Sequence, residues 1–367
     1  MEKKKAYPII VVFALLIFGL AIAHLLFPDA VLSKEERRKL AQIHEVNLSE
    51  IFDASFSEKL ETYLLDQFPL RQQFRTIQAL LRYNVLFQKD NNDVYIVDDQ
   101  VLKMEYPLKE DQVIYAGNKI AKLYEDHMKG MNVYCAIVPD KNYFAAEQNG
   151  YLALDYEKMR ELFLQKLPAD VQYVDIFDTL TLEDYYFTDT HWRQEAIFPV
   201  VQTLAEAMGV ADALTPEQAY TAETIRDFYG VYYSQGAVPV APDDLVYLKS
   251  EYTESAVVTG PELKGESTVY VPERFDGMDG YDVYLSGAQS ILEIEVPNAK
   301  TDRELIIFRD SYGSSIAPLF TGAYSKITLV DLRYVSSQFL DRFVSFENQD
   351  VLFLYSTSLL NSGMLLK

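Results

Sequence analysis

Several residue types that define large protein classes are scarce in this chain. It has one cysteine, Cys135, and four histidines in 367 residues. That excludes an internal disulfide, and it leaves too few ligands for a zinc finger or a His-rich metal cage. Positive charge is also in short supply, with 33 Lys and Arg against 55 Asp and Glu and a net charge of −22. A surface this acidic repels phosphate backbones, so nucleic acid is not expected as a partner. No G-x-G-x-x-G follows a strand-like run and no Walker A sequence occurs; nucleotide cofactors are without support, and neither a cofactor nor a metal is expected. What the chain does have is apolar: 49% hydrophobic residues and 13% aromatics. This is ample for a buried core and too rich for a disordered chain. At about 150 residues per domain, the length fits two folded units or one elaborated α/β domain.

The longest uncharged run comes first. Residues 9–27 (IIVVFALLIFGLAIAHLLF) contain no Asp, Glu, Lys or Arg. As a helix they extend about 28 Å, close to the roughly 30 Å hydrocarbon core of a bilayer. Lys3, Lys4 and Lys5 precede the run and should stay cytoplasmic, which sends residue 29 onward outside. The expectation is a cytoplasmic stub and transmembrane anchor over residues 1–28, single-pass, with the main body extracytoplasmic. A competing reading is a signal peptide cut near Ala23, since Ala21-Ile22-Ala23 has the small-residue pattern of a cleavage site and would give a secreted protein. Against cleavage, the apolar run continues through Leu25, Leu26 and Phe27 to Pro28 and Asp29. A buried core helix is the third alternative, though such helices seldom lack polar positions over five turns. The lack of disulfides does not conflict with life outside the cell, because a large core can replace staples.

Residues 29–92 read as a juxtamembrane helical arm. Phe56, Leu60, Leu64 and Phe68 form an i, i+4 stripe, Pro69 interrupts it, and Leu70, Phe74, Ile77, Leu81 and Val85 resume it. The arm is read as helical from residue 34. Val94–Val97 and Val101–Met104 flank Asp98-Asp99-Gln100 as a hairpin. Five short apolar runs resemble buried strands: Asn132–Val138, Val171–Phe177, Leu305–Phe308, Ile327–Val330 and Val351–Tyr355. Helical stretches at 109–129, 156–165, 191–208 and 313–320 separate them. That alternation predicts an open, mainly parallel α/β sheet with both faces covered. Between 210 and 300 the texture changes to Gly, Pro and aromatic–polar alternation, read as a β-rich insertion between a first part (93–209) and a second part (301–367) of the α/β domain.

The histidines narrow the chemistry. His24 lies in the apolar run, His44 in the arm, and His127 on a helix flank beside Asp126 and Met128. His191 remains, in Tyr186-Phe187-Thr188-Asp189-Thr190-His191-Trp192, beside the only tryptophan. An Asp two residues before a His can accept the ring N–H and fix which nitrogen stays free; it can equally cap the following helix, with His191 and Trp192 as packing residues. The strand Leu305–Phe308 runs into Arg309-Asp310-Ser311-Tyr312-Gly313. A serine at the C-terminal end of a parallel strand, opening a helix, stands where α/β folds place reactive groups. Its alternative role is an N-cap. Together the three residues meet the needs of nucleophilic acyl transfer: Ser311 attacks, His191 takes its proton, and Asp189 orients the imidazole. Asn47-Leu48-Ser49 fits a glycosylation pattern, a three-residue match of little weight. Cys135 reads as inert and buried.

The D-x-H-W segment followed much later by D-S-Y resembles the DHHW and alginate O-acetyltransferase-like group of SGNH-hydrolase relatives. The similarity includes Phe68-Pro69-Leu70-Arg71, Val138-Pro139-Asp140-Lys141, Phe228-Tyr229-Gly230, Tyr281 to Gly287, and Val330-Asp331-Leu332-Arg333-Tyr334. In order and spacing it spans most of residues 60 to 355, with Thr190 standing where that group often has a His. The resemblance implies an SGNH-hydrolase-like α/β/α sandwich and a Ser311–His191–Asp189 triad. It also implies transfer of acetyl groups onto a cell-surface or secreted polysaccharide, beside a multi-pass membrane O-acyltransferase as acetyl supplier. No G-x-N block supplies the group's usual oxyanion donors, and Ser356-Thr357 occupies the strand end where an Asn is sought. Arg333, Lys141, Tyr312 and Trp192 are the candidates to contact substrate or oxyanion; Lys141 and Arg333 can equally be solvated loop charges. A carbohydrate esterase or deacetylase with the same triad, and a non-catalytic glycan-binding or assembly protein, remain as alternatives.

Overall fold

Where the sequence is uncharged for five turns, the chain forms one helix, α1 (Glu2–Leu26). Its stretch Tyr7–Leu26 is long and apolar enough to cross a membrane, and none of it is buried against protein. The structure is a computed structural model describing residues 2–43 and 54–367; His44 and Asn47-Leu48-Ser49 lie outside the described residues. The chain divides into two compact units. One comprises residues up to Asn91 together with Ser234–Pro239, and the other comprises Asn92–Tyr233 and Val240–Lys367.

In the first unit, α1 is followed by α2 (Ala54–Asp66) and α3 (Arg71–Asn84), broken at Pro69 as its missing N–H requires. The helical reading from residue 34 does not hold before the undescribed segment. Leu32–Ser33 pairs with Arg38–Lys39 as a small antiparallel turn. Its six consecutive charged residues, Lys34 to Lys39, offer no apolar stripe to bury a helix face. Arg38 instead forms a bidentate pair with Asp66 at 2.8 and 2.5 Å.

The second unit is built on a seven-stranded sheet: β1 (Val133–Val138), β2 (Val171–Tyr173), β3 (Val257–Thr259), β4 (Ile291–Glu295), β5 (Glu304–Arg309), β6 (Lys326–Val330) and β7 (Asp350–Ser356). Their order is β2-β1-β7-β5-β6-β4-β3. The pairs from β2 through β6 are parallel, whereas β4 and β3 add an antiparallel edge. β4 and β3 both come from the segment 210–300, whose remaining pair, Thr221–Phe228 with Asp243–Lys249, forms a separate two-stranded sheet.

The period of two splits each strand between two cores. Leu305, Ile307, Leu329 and Leu352 face one, under α6 (Phe198–Ala207) with Val200, Val201 and Leu204. Ile306, Phe308, Val330, Val351 and Phe353 face the other, under α4 (Glu110–Leu123) and α5 (Tyr156–Leu164). The result is an α/β/α sandwich with a mainly parallel sheet.

Two helix boundaries differ from the sequence reading, each at a proline. The helix expected over 191–208 starts at Phe198 with Pro199 in its first turn. Pro199 cannot donate, and its ring clashes with a helical carbonyl four residues back. Residues 191–193 are therefore outside any helix, and only Gln194–Ala196 make a short 3-10 turn. The helix expected over 313–320 is Tyr312–Ile316 and then tightens at Pro318 into a 3-10 turn.

Candidate active site

The parallel strands all end at one edge of the sheet, and their carboxyl ends carry the polar residues of the core. Asp140 and Lys141 follow β1, Asp310 and Ser311 follow β5, Asp331 and Arg333 follow β6, and Ser356 and Thr357 end β7. This is the crevice where open α/β sheets bind ligands. Asp310 ties two of the ends together: its Oδ1 accepts from the Tyr312 amide (3.1 Å) and its Oδ2 from the Ser356 amide (2.8 Å). Ser311 occupies the N-cap position of the next helix yet makes no side-chain cap bond. Its hydroxyl points to His191, with Oγ 2.7 Å from Nε2. Ser311 is half-buried while Tyr312 to Phe320 behind it are buried throughout.

His191 is held from three sides. Its Nδ1 lies 2.5 Å from Asp189 Oδ1, which also accepts the His191 amide at 3.0 Å. Asp189 is fully buried and acts here as an acceptor, so the ring proton sits on Nδ1 and Nε2 keeps its lone pair for the serine hydroxyl. The Tyr281 ring stacks on the imidazole with centroids 3.9 Å apart, planes 8° from parallel, and Tyr312 meets it edge-on. Tyr281 is itself fixed, donating to Ser315 Oγ (2.7 Å), which also accepts Trp192 Nε1–H at 2.8 Å.

Asp189 gains a further donor just after Phe228-Tyr229-Gly230: the Val231 amide reaches its Oδ2 at 2.8 Å. The approach depends on Gly230, where a Cβ would stand 2.3 Å from the Asp189 Cβ. The loop carrying Asp189 is held by two buried charges. Asp243 accepts from the Phe187 and Thr188 amides and from Thr188 Oγ1 at 2.6–2.8 Å. Lys141 Nζ donates to four carbonyls, those of Val101, Tyr186, Phe187 and Asp189, at 2.6, 2.8, 3.0 and 3.3 Å. Burial pulls the Lys141 ammonium down to about 7, against the attraction of Asp243 and Asp189. Burial likewise pushes the Asp243 carboxyl up, opposed by Thr188 and the two amides.

Ser311, His191 and Asp189 are thus in continuous contact. The other sequence candidates surround them with their donors already engaged. Trp192 turns its N–H to Ser315, and Tyr312 Oη donates to the Thr190 carbonyl at 2.6 Å. Lys141 faces its carbonyls. Arg333 Nε and Nη2 pair with Asp331 at 2.9 and 2.6 Å, which holds the guanidinium above its ordinary value although burial works the other way. Sequence reasoning missed Arg309. It is buried on the strand that leads to Ser311, its stem packed where a Cβ on Gly313 would come 2.5 Å from its own, and its Nη1 lies 3.7 Å from Asp331. The signal was in the sequence, as a charged residue closing an otherwise apolar strand. Asp243 gave no such local signal, and Tyr281 entered only as the first residue of the resembling segment Tyr281 to Gly287.

No protein-family model matches the sequence, and no curated protein does. Solved structures do match. A DHHW family protein from Eubacterium siraeum is 23% identical, covering 75% of this chain and 95% of its own, with a TM-score of 0.61. PatB1 from Bacillus cereus, solved with a sulfonyl adduct, is 20% identical over 74% of this chain and 97% of its own, with a TM-score of 0.58. A looser likeness, TM-score 0.41 at 14% identity over 73% of this chain and 92% of the other, is to the O-acetyltransferase domain of Pseudomonas putida AlgJ. The chain has the fold of the DHHW family protein and of PatB1, in keeping with the resemblance in its motifs.

Proposed function

We propose that this chain is a membrane-anchored, extracytoplasmic O-acetyltransferase that moves acetyl groups onto a cell-surface or secreted polysaccharide. Ser311 is the nucleophile, His191 the general base and then acid, and Asp189 the residue that orients the imidazole. The observation that carries the reading is the Asp189–His191–Ser311 relay, 2.5 and 2.7 Å at its two links, between residues 120 apart in sequence.

The chemistry divides into two balanced halves. Ser311 Oγ attacks the acetyl carbonyl of the donor as its proton passes to His191 Nε2. The tetrahedral species then expels the donor's leaving group, which takes that proton and leaves acetyl-serine. In the second half His191 removes the proton of a sugar hydroxyl whose oxygen attacks the acetyl carbon. The bond to Ser311 breaks, and Oγ recovers the proton from His191. In this reading α1 is an uncleaved anchor with Lys3, Lys4 and Lys5 on the cytoplasmic side. A multi-pass membrane O-acyltransferase is the supplier of acetyl groups from across the bilayer.

The test is covalent labelling of the full chain in detergent with p-nitrophenyl acetate and with a serine-directed fluorophosphonate, read by intact mass and peptide mapping. The expected result is one adduct, on Ser311, that is absent in Ser311→Ala and in His191→Ala. A folded protein that takes no adduct, or an adduct that survives in Ser311→Ala, would overturn the assignment. Partition of the acetyl group between a glycan ester and free acetate then separates the transferase from an esterase, in which water replaces the sugar hydroxyl.

A further inference from the structure

Helix α3 is inside out. A helix packed on a protein body turns its apolar stripe inward and its polar face to water, and here the order is reversed. Phe74, Ile77 and Leu81 share one face by their i, i+3 and i, i+4 spacing, and they are 43%, 51% and 49% exposed. Leu70 and Val85 extend that exposed face at its two ends, and Leu86 and Phe87 continue it beyond the helix. The opposite side holds the buried Ala79 and the arginines that turn inward. Arg71 Nε donates to Glu36 Oε1, and Arg75 Nη2 to the Ser234 carbonyl, each at 2.6 Å.

Two further observations say what covers the exposed face. The first is continuity with α1. The corner between α2 and α3 is fastened to the point where α1 ends: His24 Nδ1 lies 3.1 Å from the Gln67 carbonyl. The Gln67 side chain accepts from the Ala30 amide (3.0 Å) and donates to the Ala30 carbonyl (2.9 Å), while Tyr63 Oη donates to Asp29 at 3.0 Å. Helix α3 therefore begins at the level where the apolar run leaves off. The second is charge. From Gln67 to Lys89 the chain carries Arg71, Arg75, Arg82 and Lys89 and no Asp or Glu, in a molecule whose net charge is −22; Glu36 offsets one of these charges through Arg71 and Arg75, and the segment stays net positive. An apolar face on a cationic, amphipathic helix is the combination that lies in a lipid interface and is attracted to anionic headgroups.

We propose that α3 lies in the interface of the bilayer that α1 crosses, with the Phe74–Ile77–Leu81 face inserted at headgroup depth and Arg82 beside anionic lipids. This inference rests on the reading of α1 as a membrane span, and the experiment keeps the two apart.

The full chain is reconstituted into phosphatidylglycerol-containing vesicles after bimane labelling at a single introduced cysteine: Leu16→Cys in α1, Ile77→Cys in α3, or Lys264→Cys as an exposed reference in the second unit. The native Cys135 is buried. Quenching is measured with lipids carrying doxyl groups near the headgroup or deep in the tail, and with aqueous iodide. The expected pattern is deep-doxyl quenching at Leu16, shallow-doxyl quenching at Ile77 several-fold above that at Lys264, and weaker shallow quenching at Ile77 when phosphatidylcholine replaces the anionic lipid. Ile77 quenched by iodide like Lys264, with Leu16 still in the bilayer, overturns the proposal and leaves the span standing. Ile77 shielded from both quenchers means a protein surface covers it, and that also overturns the proposal. Leu16 outside the bilayer removes the span and the proposal with it.

Discussion

At the scale of single residues, the site depends on protons being in the right place. Asp189 is a pure acceptor against His191 Nδ1, so Asp189→Asn offers a donor there and favours the tautomer with its proton on Nε2, facing Ser311. In the proposed relay His191 then no longer offers a free Nε2 to Ser311. The expected result is a fall in the rate of Ser311 acylation on the order of 10³-fold or more, with a lower thermal midpoint because the new NH2 also faces the His191 amide that Asp189 accepts; stopped-flow release of p-nitrophenol measures the first and calorimetry the second. A second titration lies outside the relay. Burial, helped by the nearby Asp140, pushes the Glu105 carboxyl up to about 7 from 4.5. Between those values the folded protein holds a proton the unfolded chain has released, so this group's contribution to stability falls as pH rises through that window. Glu105→Gln removes that slope. The variant should match the parent below pH 4.5 and exceed it above pH 7 by roughly 3 kcal/mol, as read from urea unfolding across the range. Parallel stability curves for the two proteins would show that Glu105 titrates normally.

At the scale of elements, the legible features are those with a period or a punctuation mark. The i, i+4 stripe broken at Pro69 is readable from its helical period, and the inner strands of the parallel sheet are readable because burial on both faces leaves no polar alternation. Ser311 and His191 could be picked out because a strand end and a lone D-x-H-W are local patterns. The loop that carries Asp189 was not legible. Its conformation is set by Lys141 and Asp243, 48 residues before Asp189 and 55 after Thr188, through bonds to main-chain groups that leave no trace in side-chain periodicity. The start of α6 was missed because hydrophobic spacing continues through Pro199, whereas the backbone cannot. Lys141 is accordingly expected to act on the candidate active site through this loop. Lys141→Met removes the donor from four buried carbonyls, each then left to a poorer partner. The expected cost is about 3 kcal/mol in stability, with a slower fluorophosphonate reaction at Ser311 even at temperatures where the variant is folded. A variant labelled at the parent rate would show that the Asp189 loop keeps its shape without the lysine.

At the scale of the whole molecule, the order of strands decides when the site can exist. The strand nearest the C-terminus, β7, lies between β1 and β5 in the middle of the sheet. Its end supplies Ser356, whose amide binds Asp310 beside Ser311, and Thr357, whose hydroxyl donates to Asp140 at 2.6 Å across 217 residues. Neither half of the α/β unit can close alone, because removing β7 leaves β1 and β5 with unpaired inner edges and both hydrophobic cores without their central row, Leu352 and Leu354 on one face and Val351, Phe353 and Tyr355 on the other. Contacts of such sequence separation form late, since their loop-closure entropy must be met before they stabilise anything. A chain ending at Gln349 is therefore expected to show no cooperative thermal transition and to associate through the exposed edges. A chain ending at Lys367 should unfold cooperatively and take the Ser311 label. A fragment ending at Gln349 that melts cooperatively would mean that the sheet has a second stable packing in which β1 and β5 meet directly. In that packing Ser356 and Thr357 are missing, so Asp310 and Asp140 each lose a buried donor, and the fragment should fold without reacting at Ser311.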